Sequence, residues 1–262
     1  MIISHRHRYV FVELPRTGST AVSDELRAHY DGVRILAKHS TYHDFLRIAT
    51  EDEKRYFTFS CIRDPLDDAV SRYLKLVTDH HQRFSHPVKA KYSVGIKRAE
   101  LIAQGDPSSL PKPRRRSVVD LMENRRYRFV RRTHADFPAF FRRYYHLPYD
   151  NWARLDHGNF DFLVRFENLQ EDFATVLGIL GVEQDRPLPV INRTTGKADF
   201  ASYYTPDTIE RAKRVFGPYM ERWGYAPPAE WGKPSFPRVH RAVYDALGVP
   251  RTIYWRHLRG RI

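Results

Sequence analysis

Cysteine is almost absent from this chain, which has 262 residues and a single thiol at Cys61. One cysteine excludes an intramolecular disulfide and argues against a cysteine-based metal site. The apolar run FTFSCI around it predicts a buried structural thiol. The sequence also lacks an apolar stretch of 18 residues, and its first residues, MIISHRHRYVFVEL, lack the hydrophobic region and cleavage site of a signal peptide. We therefore expect a cytoplasmic protein without a membrane span, either free or at the periphery of a membrane.

Acidic residues are too few to balance the basic ones. The chain has 44 Lys plus Arg against 31 Asp plus Glu, which gives a formal net charge of +13. Such a surface favours polyanionic partners, among them nucleic acid, anionic glycan, lipid headgroups and nucleotide phosphates. Composition alone does not choose among them. A hydrophobic content of 42% with 14% aromatic residues predicts a folded protein with a full core.

Strand and helix patterns alternate over the first 79 residues. The segments RYVFVEL (8–14), DGVRILAKH (31–39) and KRYFTFSCI (54–62) have strand patterns, and each is followed by a helical pattern. This order predicts right-handed crossovers and a parallel sheet. A further strand over 160–169 leads into a helix. We expect an α/β protein with a P-loop-NTPase-like three-layer fold, in which helices flank a central parallel sheet.

The middle and the end of the chain have a different composition. Residues 80–116 are polar and contain GDPSSLPKPRRRS, and a helical pattern over 117–145 carries most of the arginine. We expect one domain over 1–225 with a helical basic insertion at about 80–159, followed by a Pro-rich linker and a basic tail over 226–262. The basic segments PKPRRR and NRRYRFVRR are either an exposed charged face or a guide for an anionic partner.

The segment LPRTGST (14–20) follows the first strand. A tight turn between a strand and a helix forms an anion site, because unpaired N–H groups and the helix dipole converge there. Arg16 adds a cation, and Gly18 permits close backbone approach. The segment departs from G-x-x-x-x-G-K-[ST], since the first glycine and the lysine are missing, so a site for a triphosphate and magnesium is not favoured. The alternative is an ordinary connection between a strand and a helix.

A second segment, CIRDPLDDAVSRY (61–73), has related features. It places Arg63 at the end of a strand and Ser71 about two turns into the next helix, roughly 10 Å along its axis. A guanidinium and a hydroxyl at this spacing could converge on one phosphate. The alternative is that Arg63 pairs with Asp67 or Asp68 and that Ser71 is simply buried.

Together and in this order, the two segments resemble those of the PAPS-dependent sulfotransferases. The stretches LVRFENLQEDF and NRTTGKADFASYYTPDTIERAKRVFGPYMERWGY resemble later parts of the same family, so the resemblance covers about 8–79 and 160–225. AKHSTYHDF (37–45) resembles the His-x-x-Tyr-x-Asp-Phe segment of the carbohydrate branch, which includes heparan and dermatan 2-O-sulfotransferases. The chain departs from the pattern at Ala37, where some relatives have a second histidine, and at Arg16, where many have lysine.

The resemblance implies a role for each of these segments. His39 would be the general base and Arg16 the electrostatic stabiliser of the leaving group. Arg63 and Ser71 would hold the 3′-phosphate, with Arg193 and Lys197 as additional phosphate contacts. The 5′-phosphosulfate would be held by the turn residues Pro15, Arg16, Thr17, Gly18, Ser19 and Thr20.

The implied activity is that of an O-sulfotransferase that uses PAPS as the sulfate donor and requires no metal. It would transfer the sulfuryl group in line to a hydroxyl of a carbohydrate acceptor, either a polysaccharide or a glycolipid, with the basic insertion on the acceptor side. An anionic acceptor suits the charge of the chain, and nucleic acid is the less favoured partner. Two alternatives are a kinase-like P-loop protein that uses ATP and Mg²⁺, and a non-catalytic basic module that binds nucleic acid.

Overall fold

The computed structural model of the protein describes residues 1–80, 84, 118–151, 153–190, 197–232 and 236–254. The chain divides into two compact units. The first consists of Met1–Asp68, Tyr145–Arg193 and Ile209–Ile262, and the second of Ala69–Tyr144 and Thr194–Thr208. The predicted division into a domain over 1–225, an insertion and a tail over 226–262 stays a prediction.

A mixed β-sheet with the strand order β3-β1-β2-β4-β5 forms the centre of the first unit. Strands β2, β4 and β5 are parallel to one another, and β1 pairs antiparallel with both β2 and β3. The predicted α/β fold with helices around a mostly parallel sheet is confirmed. The strands are β1 (Ile2–Ser4), β2 (Tyr9–Val12), β3 (Val33–Arg34), β4 (Phe57–Ile62) and β5 (Phe162–Arg165).

The second predicted strand differs from the expectation of an all-parallel sheet. Only Val33–Arg34 of the segment 31–39 is in β3, which pairs antiparallel with β1 rather than parallel with β2. The reason is the hairpin formed by β1 and β2, whose polar turn HRHR carries no Asn-Gly or Asp-Gly signal. Because β1 already occupies that side of β2, the returning chain finds only β1 to pair with.

Helices follow the strands as the periodicity predicts. Two further helices, over 206–223 and 238–253, lie near the end of the chain. The helices are α1 (Ser19–His29), α2 (Tyr42–Leu46), α3 (Pro65–Val77), α4 (Val118–Thr133), α5 (Phe137–Tyr144), α6 (Ala153–Asp156), α7 (Leu169–Ile179), α8 (Pro206–Trp223) and α9 (Arg238–Ile253).

Two helix starts are fixed by the residues that the sequence indicates. Thr41 is the N-cap of α2 and forms a capping box with Asp44, so two backbone N–H groups gain acceptors. At α3 the Asp64 carboxylate accepts the Leu66 N–H at 2.7 Å, and Pro65 occupies the first helical position, where no N–H is needed. Both helices therefore begin immediately after segments with candidate functional residues.

The two faces of the sheet alternate with period 2 and bury separate clusters. Cys61 lies in the first cluster and is fully buried, which raises the pKa of its thiol and confirms the predicted structural cysteine. The second cluster joins the other face of β1 and β2 to α2 through residues such as Ile3, Val10 and Phe45. The first cluster joins the sheet to α1 and α7 and includes Tyr9, Phe11, Val22, Leu26, Phe59, Cys61, Val164, Phe173 and Val176.

A third cluster lies where β2 and β4 end. Leu14 lies two residues after β2, and Ile62 is the last residue of β4. Both pack with Tyr219 and Trp223 of α8 and with Tyr244 of α9. Arg154 lies against α9 at Gly248, and its guanidinium donates to the Tyr244 carbonyl at 2.7 Å. The last helix therefore helps to hold the strand ends from which the candidate turns emerge.

In the second unit the described core is aromatic. Phe137 and Phe141 of α5 contact Tyr204 edge to face, with ring centroids 4.8 and 5.4 Å apart. Tyr73 of α3 contacts Phe140 and donates its hydroxyl to the Ala135 carbonyl at 3.0 Å. These contacts pack α3 and α5 together.

His157 is a buried imidazole for which no hydrogen-bond partner is found within the described ranges. It is 4% exposed, and its ring contacts Phe160 and Trp223. Burial disfavours the imidazolium ion and lowers the pKa of His157 to about 3, from a model-peptide value of 6.5. Because the unfolded chain binds this proton at a higher pH than the folded one, acid favours unfolding.

We expect the free energy of unfolding to fall by about 2 kcal/mol through His157 alone when the pH is lowered from 7 to 5. Urea unfolding at both pH values would measure this loss. The variant His157→Phe should lose that part of the pH dependence, whereas His5→Gln, a change at an exposed histidine, should keep it. An equal pH dependence in His157→Phe and in the unmodified protein would contradict the expectation.

Candidate functional site

The turn between β2 and α1 is shaped by two of its own hydroxyl groups. Thr17 and Ser19 are buried, and their hydroxyls donate to the same carbonyl, that of Leu14, at 2.8 and 2.7 Å. This double contact folds residues 14–19 into a compact loop. In this conformation the two hydroxyls determine the shape of the turn rather than pointing to solvent.

The backbone of the same turn presents unpaired donors. Gly18 is the N-cap of α1 with φ 76°, and no side chain caps the helix. In the described part of the chain, no acceptor is found for the amide N–H groups of Thr17, Gly18, Ser19 and Thr20. Unpaired amides at a helix N-terminus, reinforced by the helix dipole, attract an anion.

Gly18 is required for space as well as for conformation. A Cβ atom at this position would lie 3.1 Å from side-chain atoms of both Phe166 and Leu169. These two residues begin and end the short corner between β5 and α7. The turn is therefore packed directly on that corner, and the exposed side of its backbone is left for a ligand.

Arg16 is tied to a buried carboxylate. Its guanidinium makes a bidentate contact with Asp68, at 2.7 Å from Nε to Oδ1 and 3.1 Å from the terminal nitrogen to Oδ2. The Asp68 side chain is 5% exposed and also accepts the Tyr149 hydroxyl at 3.1 Å. The positive charge of Arg16 is thus largely compensated within the protein. Its backbone, with φ 66°, lies in the left-handed region that non-glycine residues rarely adopt.

Arg63 connects the two segments. Its guanidinium donates to the Asp67 carboxylate, with Nε 2.8 Å from Oδ2, and to the Arg16 carbonyl at 2.9 Å. The same group lies 4.0 Å from the centre of the Phe166 ring. Burial lowers the pKa of Arg63, which is 8% exposed. The pairing of Arg63 with Asp67, one of the two alternatives from the sequence, is therefore observed.

Glu167 holds the start of α3 in the second segment, CIRDPLDDAVSRY. Its carboxylate accepts the Asp64 N–H at 2.8 Å and the Tyr225 hydroxyl at 3.2 Å. Burial, together with the charge of Glu167, raises the pKa of Tyr225. The corner over 166–169 thus contacts Gly18, Arg63 and Asp64, so it supports both candidate turns.

His39 is oriented by the backbone of the residue that precedes the turn. Its Nδ1 lies 3.0 Å from the Glu13 carbonyl oxygen. Because a carbonyl can only accept, Nδ1 must carry the hydrogen, and the neutral ring then has its lone pair on Nε2. This is the tautomer that a general base needs. His39 has φ 65°, a conformation that costs about 1–2 kcal/mol for a residue with a side chain.

Beneath His39, the Glu13 side chain forms a buried ion cluster. Its carboxylate accepts from the Met1 ammonium at 2.7 Å and from Arg34 at 2.6 Å. Burial acts to raise the pKa of Glu13, but the hydrogen bonds from these two cations outweigh it, so the pKa lies below its usual range. Arg34 also donates to Ser23 of α1 at 3.0 Å. The cluster fixes the position of Glu13, and with it the carbonyl that orients His39.

Lys38 is a residue at this site that the sequence analysis did not identify. Its Nζ donates to the Thr20 hydroxyl at 2.9 Å, at the start of α1. Within the described ranges, no carboxylate lies at salt-bridge distance from Lys38. The only signal in the sequence is its position directly before His39, which does not reveal that it reaches the turn.

The second unit holds the other candidate residues that the structure describes. Ser71 is buried, and its hydroxyl accepts from Lys197 Nζ at 3.2 Å, so these two predicted phosphate contacts lie together. Arg193 and the segment PKPRRR (111–116) lie outside the described residues. Helix α4 carries NRRYRFVRR and exposes the side chains of Arg125, Arg128, Arg131 and Arg132.

The described residues offer neither a metal site nor a membrane span. They contain no group of three or more His, Cys, Asp or Glu side chains that could hold a metal ion. None of their helices is long and apolar enough to cross a membrane.

A model of the sulfotransferase family matches residues 1–219. The chain belongs to the sulfotransferase family. Transfer of a sulfuryl group to an acceptor is therefore the general activity of this protein, and the match covers every candidate residue described above. No curated protein and no solved structure matched in the corresponding comparisons. The likeness to the carbohydrate branch stays a prediction.

The packing of the turn can be tested at Gly18. We expect Gly18→Ala to lower the free energy of unfolding by about 2–4 kcal/mol, because the new Cβ adds both a strained φ and two close contacts. Gly181→Ala is the matched control, since Gly181 has φ 67° but no atom within 4 Å of the added Cβ. Gly181→Ala should lower the free energy of unfolding only by the conformational cost of a positive φ, about 1 kcal/mol. Urea unfolding of both variants measures the difference, and equal losses would contradict the close packing.

Proposed function

We propose that this sulfotransferase moves the sulfuryl group of PAPS to a hydroxyl group of a carbohydrate acceptor, a polysaccharide or a glycolipid. The observation that carries the proposal is the turn over 14–20, whose amides at 17–20 have no acceptor in the described part of the chain, together with an imidazole held in the basic tautomer at Glu13. An anion site and a general base on adjacent parts of one unit are what sulfuryl transfer requires.

The turn suits the 5′-phosphosulfate of the donor in three respects. The amides of 17–20 offer hydrogen bonds, the packing of Gly18 on Phe166 and Leu169 leaves the other side of the backbone to the ligand, and Arg16 adds a guanidinium whose charge is reduced by Asp68. When bound, PAPS supplies an activated sulfuryl group whose leaving group is a phosphate. Arg16 stays protonated at neutral pH, so it contributes charge and hydrogen bonds rather than a proton.

His39 would accept the proton of the acceptor hydroxyl at Nε2. The hydrogen bond from Nδ1 to the Glu13 carbonyl holds the ring in place and stabilises the imidazolium that forms. General base catalysis of this kind typically contributes about 10²- to 10⁴-fold to a rate. The strained backbone at His39 fits a functional role, since such conformations concentrate at active sites.

The assignment of the 3′-phosphate rests on the resemblance. Arg63 in the first unit, and Ser71 with Lys197 in the second, stay predicted contacts, as does Arg193. The contact of Lys197 with Ser71 supports the prediction that these two act on the same group. The existing pairing of Arg63 with Asp67 means that its guanidinium also has a structural role.

The acceptor class is supported by two features. The AKHSTYHDF segment resembles that of carbohydrate 2-O-sulfotransferases, and α4 exposes a row of arginines that suits an anionic glycan. A nucleic acid would be attracted by the same charges, and it is one of the outcomes that the binding test distinguishes.

The donor assignment predicts selective stabilisation by the product nucleotide PAP (adenosine 3′,5′-bisphosphate). At a concentration about 100-fold above its Kd, PAP should raise the Tm by roughly 5–10 °C, whereas ATP with Mg²⁺ should have a much smaller effect. Differential scanning fluorimetry measures both. A larger shift with ATP and Mg²⁺ would favour a kinase-like protein. No shift with PAP, combined with tight and salt-dependent nucleic-acid binding, would favour a binding module.

The role of His39 predicts a specific loss of turnover. The variant His39→Asn should lower kcat about 10²- to 10⁴-fold with a glycan acceptor, while the Kd for PAP changes little, because asparagine tolerates a positive φ but cannot act as the base. His134→Asn is the matched control, since His134 is an exposed histidine with φ 49°. Loss of PAP binding in His39→Asn would indicate a structural role instead.

A further inference from the structure

Among the described residues, three cations contact the turn over 14–20. Arg63 is buried and paired with Asp67, whereas Arg16 and Lys38 are more exposed and differ in their electrostatic surroundings. Arg16 makes a bidentate ion pair with Asp68, whose side chain is 5% exposed. Lys38 is exposed, and its Nζ donates to the Thr20 hydroxyl at 2.9 Å. No carboxylate in the described part of the chain lies at salt-bridge distance from Lys38.

This difference determines which cation contributes more to the binding of an anion. An ion pair has no net charge, so the attraction of Arg16 for a phosphate is reduced by the repulsion from the Asp68 carboxylate. Among the described residues, no carboxylate forms such a pair with the ammonium of Lys38. Of its three N–H donors, Thr20 accepts one, and a neutral hydroxyl gives up such a donor to an anion at little cost.

The backbone places Lys38 and His39 at opposite ends of the same turn. Lys38 contacts Thr20, at the start of α1, and His39 contacts Glu13, at the end of β2. One dipeptide thus brings a cation and a base to the two sides of the unpaired amides.

We infer that Lys38 binds the 5′-phosphosulfate of the donor and supplies the uncompensated positive charge of this site. The inference rests on the proposed function. Lys38 stabilises the charge that grows on the phosphate oxygen as the sulfuryl group leaves, while Arg16 and Asp68 hold the shape of the turn. The turn itself has no lysine, so a lysine from a different segment stabilises the negative charge of the phosphate.

The test uses three nucleotides that differ only in their phosphates: PAP, adenosine 5′-monophosphate and adenosine 3′-monophosphate. Isothermal titration calorimetry on the full chain gives the Kd of each. Lys38→Gln should weaken binding of PAP and of the 5′-monophosphate about 10- to 100-fold, and leave that of the 3′-monophosphate unchanged. Lys38→Arg should retain most of the affinity, because it keeps the charge.

Lys54→Gln is the matched control for the loss of one charge. Lys54 pairs with Glu51 away from the turn, so this variant should leave all three Kd values unchanged. Equal weakening of all three nucleotides by Lys38→Gln would overturn the inference, as would an unchanged Kd for PAP. If the unmodified protein binds no PAP, the proposed function itself fails. Binding by the unmodified protein with no effect of Lys38→Gln removes only the assignment of Lys38.

Discussion

The candidate site depends on the contacts of the Arg63 guanidinium, which join its two turns. The guanidinium donates to the Arg16 carbonyl in one turn and to Asp67 at the start of α3, and it lies on the ring of Phe166. A planar cation with several donors can join three elements in this way, which a lysine could not. Because Arg63 is buried, loss of the Asp67 carboxylate would remove much of the compensation of its charge. The two turns therefore hold each other in place.

The charged groups around Arg63 are of two kinds: those paired within the protein and those that remain available to bind a ligand. Arg16 and Arg63 each pair with a carboxylate, and Glu13 pairs with two cations, so all three are compensated within the protein. Lys38 and the unpaired amides are the groups with capacity for a ligand. The strained backbone of His39 belongs to the same arrangement, since the hydrogen bond to Glu13 holds the ring in place.

Much of the local structure follows from short sequence patterns. The capping residues Thr41 and Asp64 act within three residues of their own position; the sequence indicates a cap at Asp64 and at either Ser40 or Thr41. The same holds for the buried strand of Cys61. The hairpin of β1 was missed because its turn has no diagnostic residues. Lys38 was missed because its partner, Thr20, lies 18 residues earlier in the chain, and no local pattern encodes such a contact.

The order of the strands and helices after β1, the turn at a helix N-terminus and the resemblance to sulfotransferases depend on spacing along the chain, so the sequence alone indicates them. Which cation is compensated follows from contacts between residues that are distant in the sequence. Arg16 and Asp68 are 52 positions apart, and His39 and Glu13 are 26 apart, so both contacts arise from the register of β2 beside β4 and the path of the chain around α1. Whether a charge is paired depends on its neighbours in space, and those are fixed only when the sheet has formed.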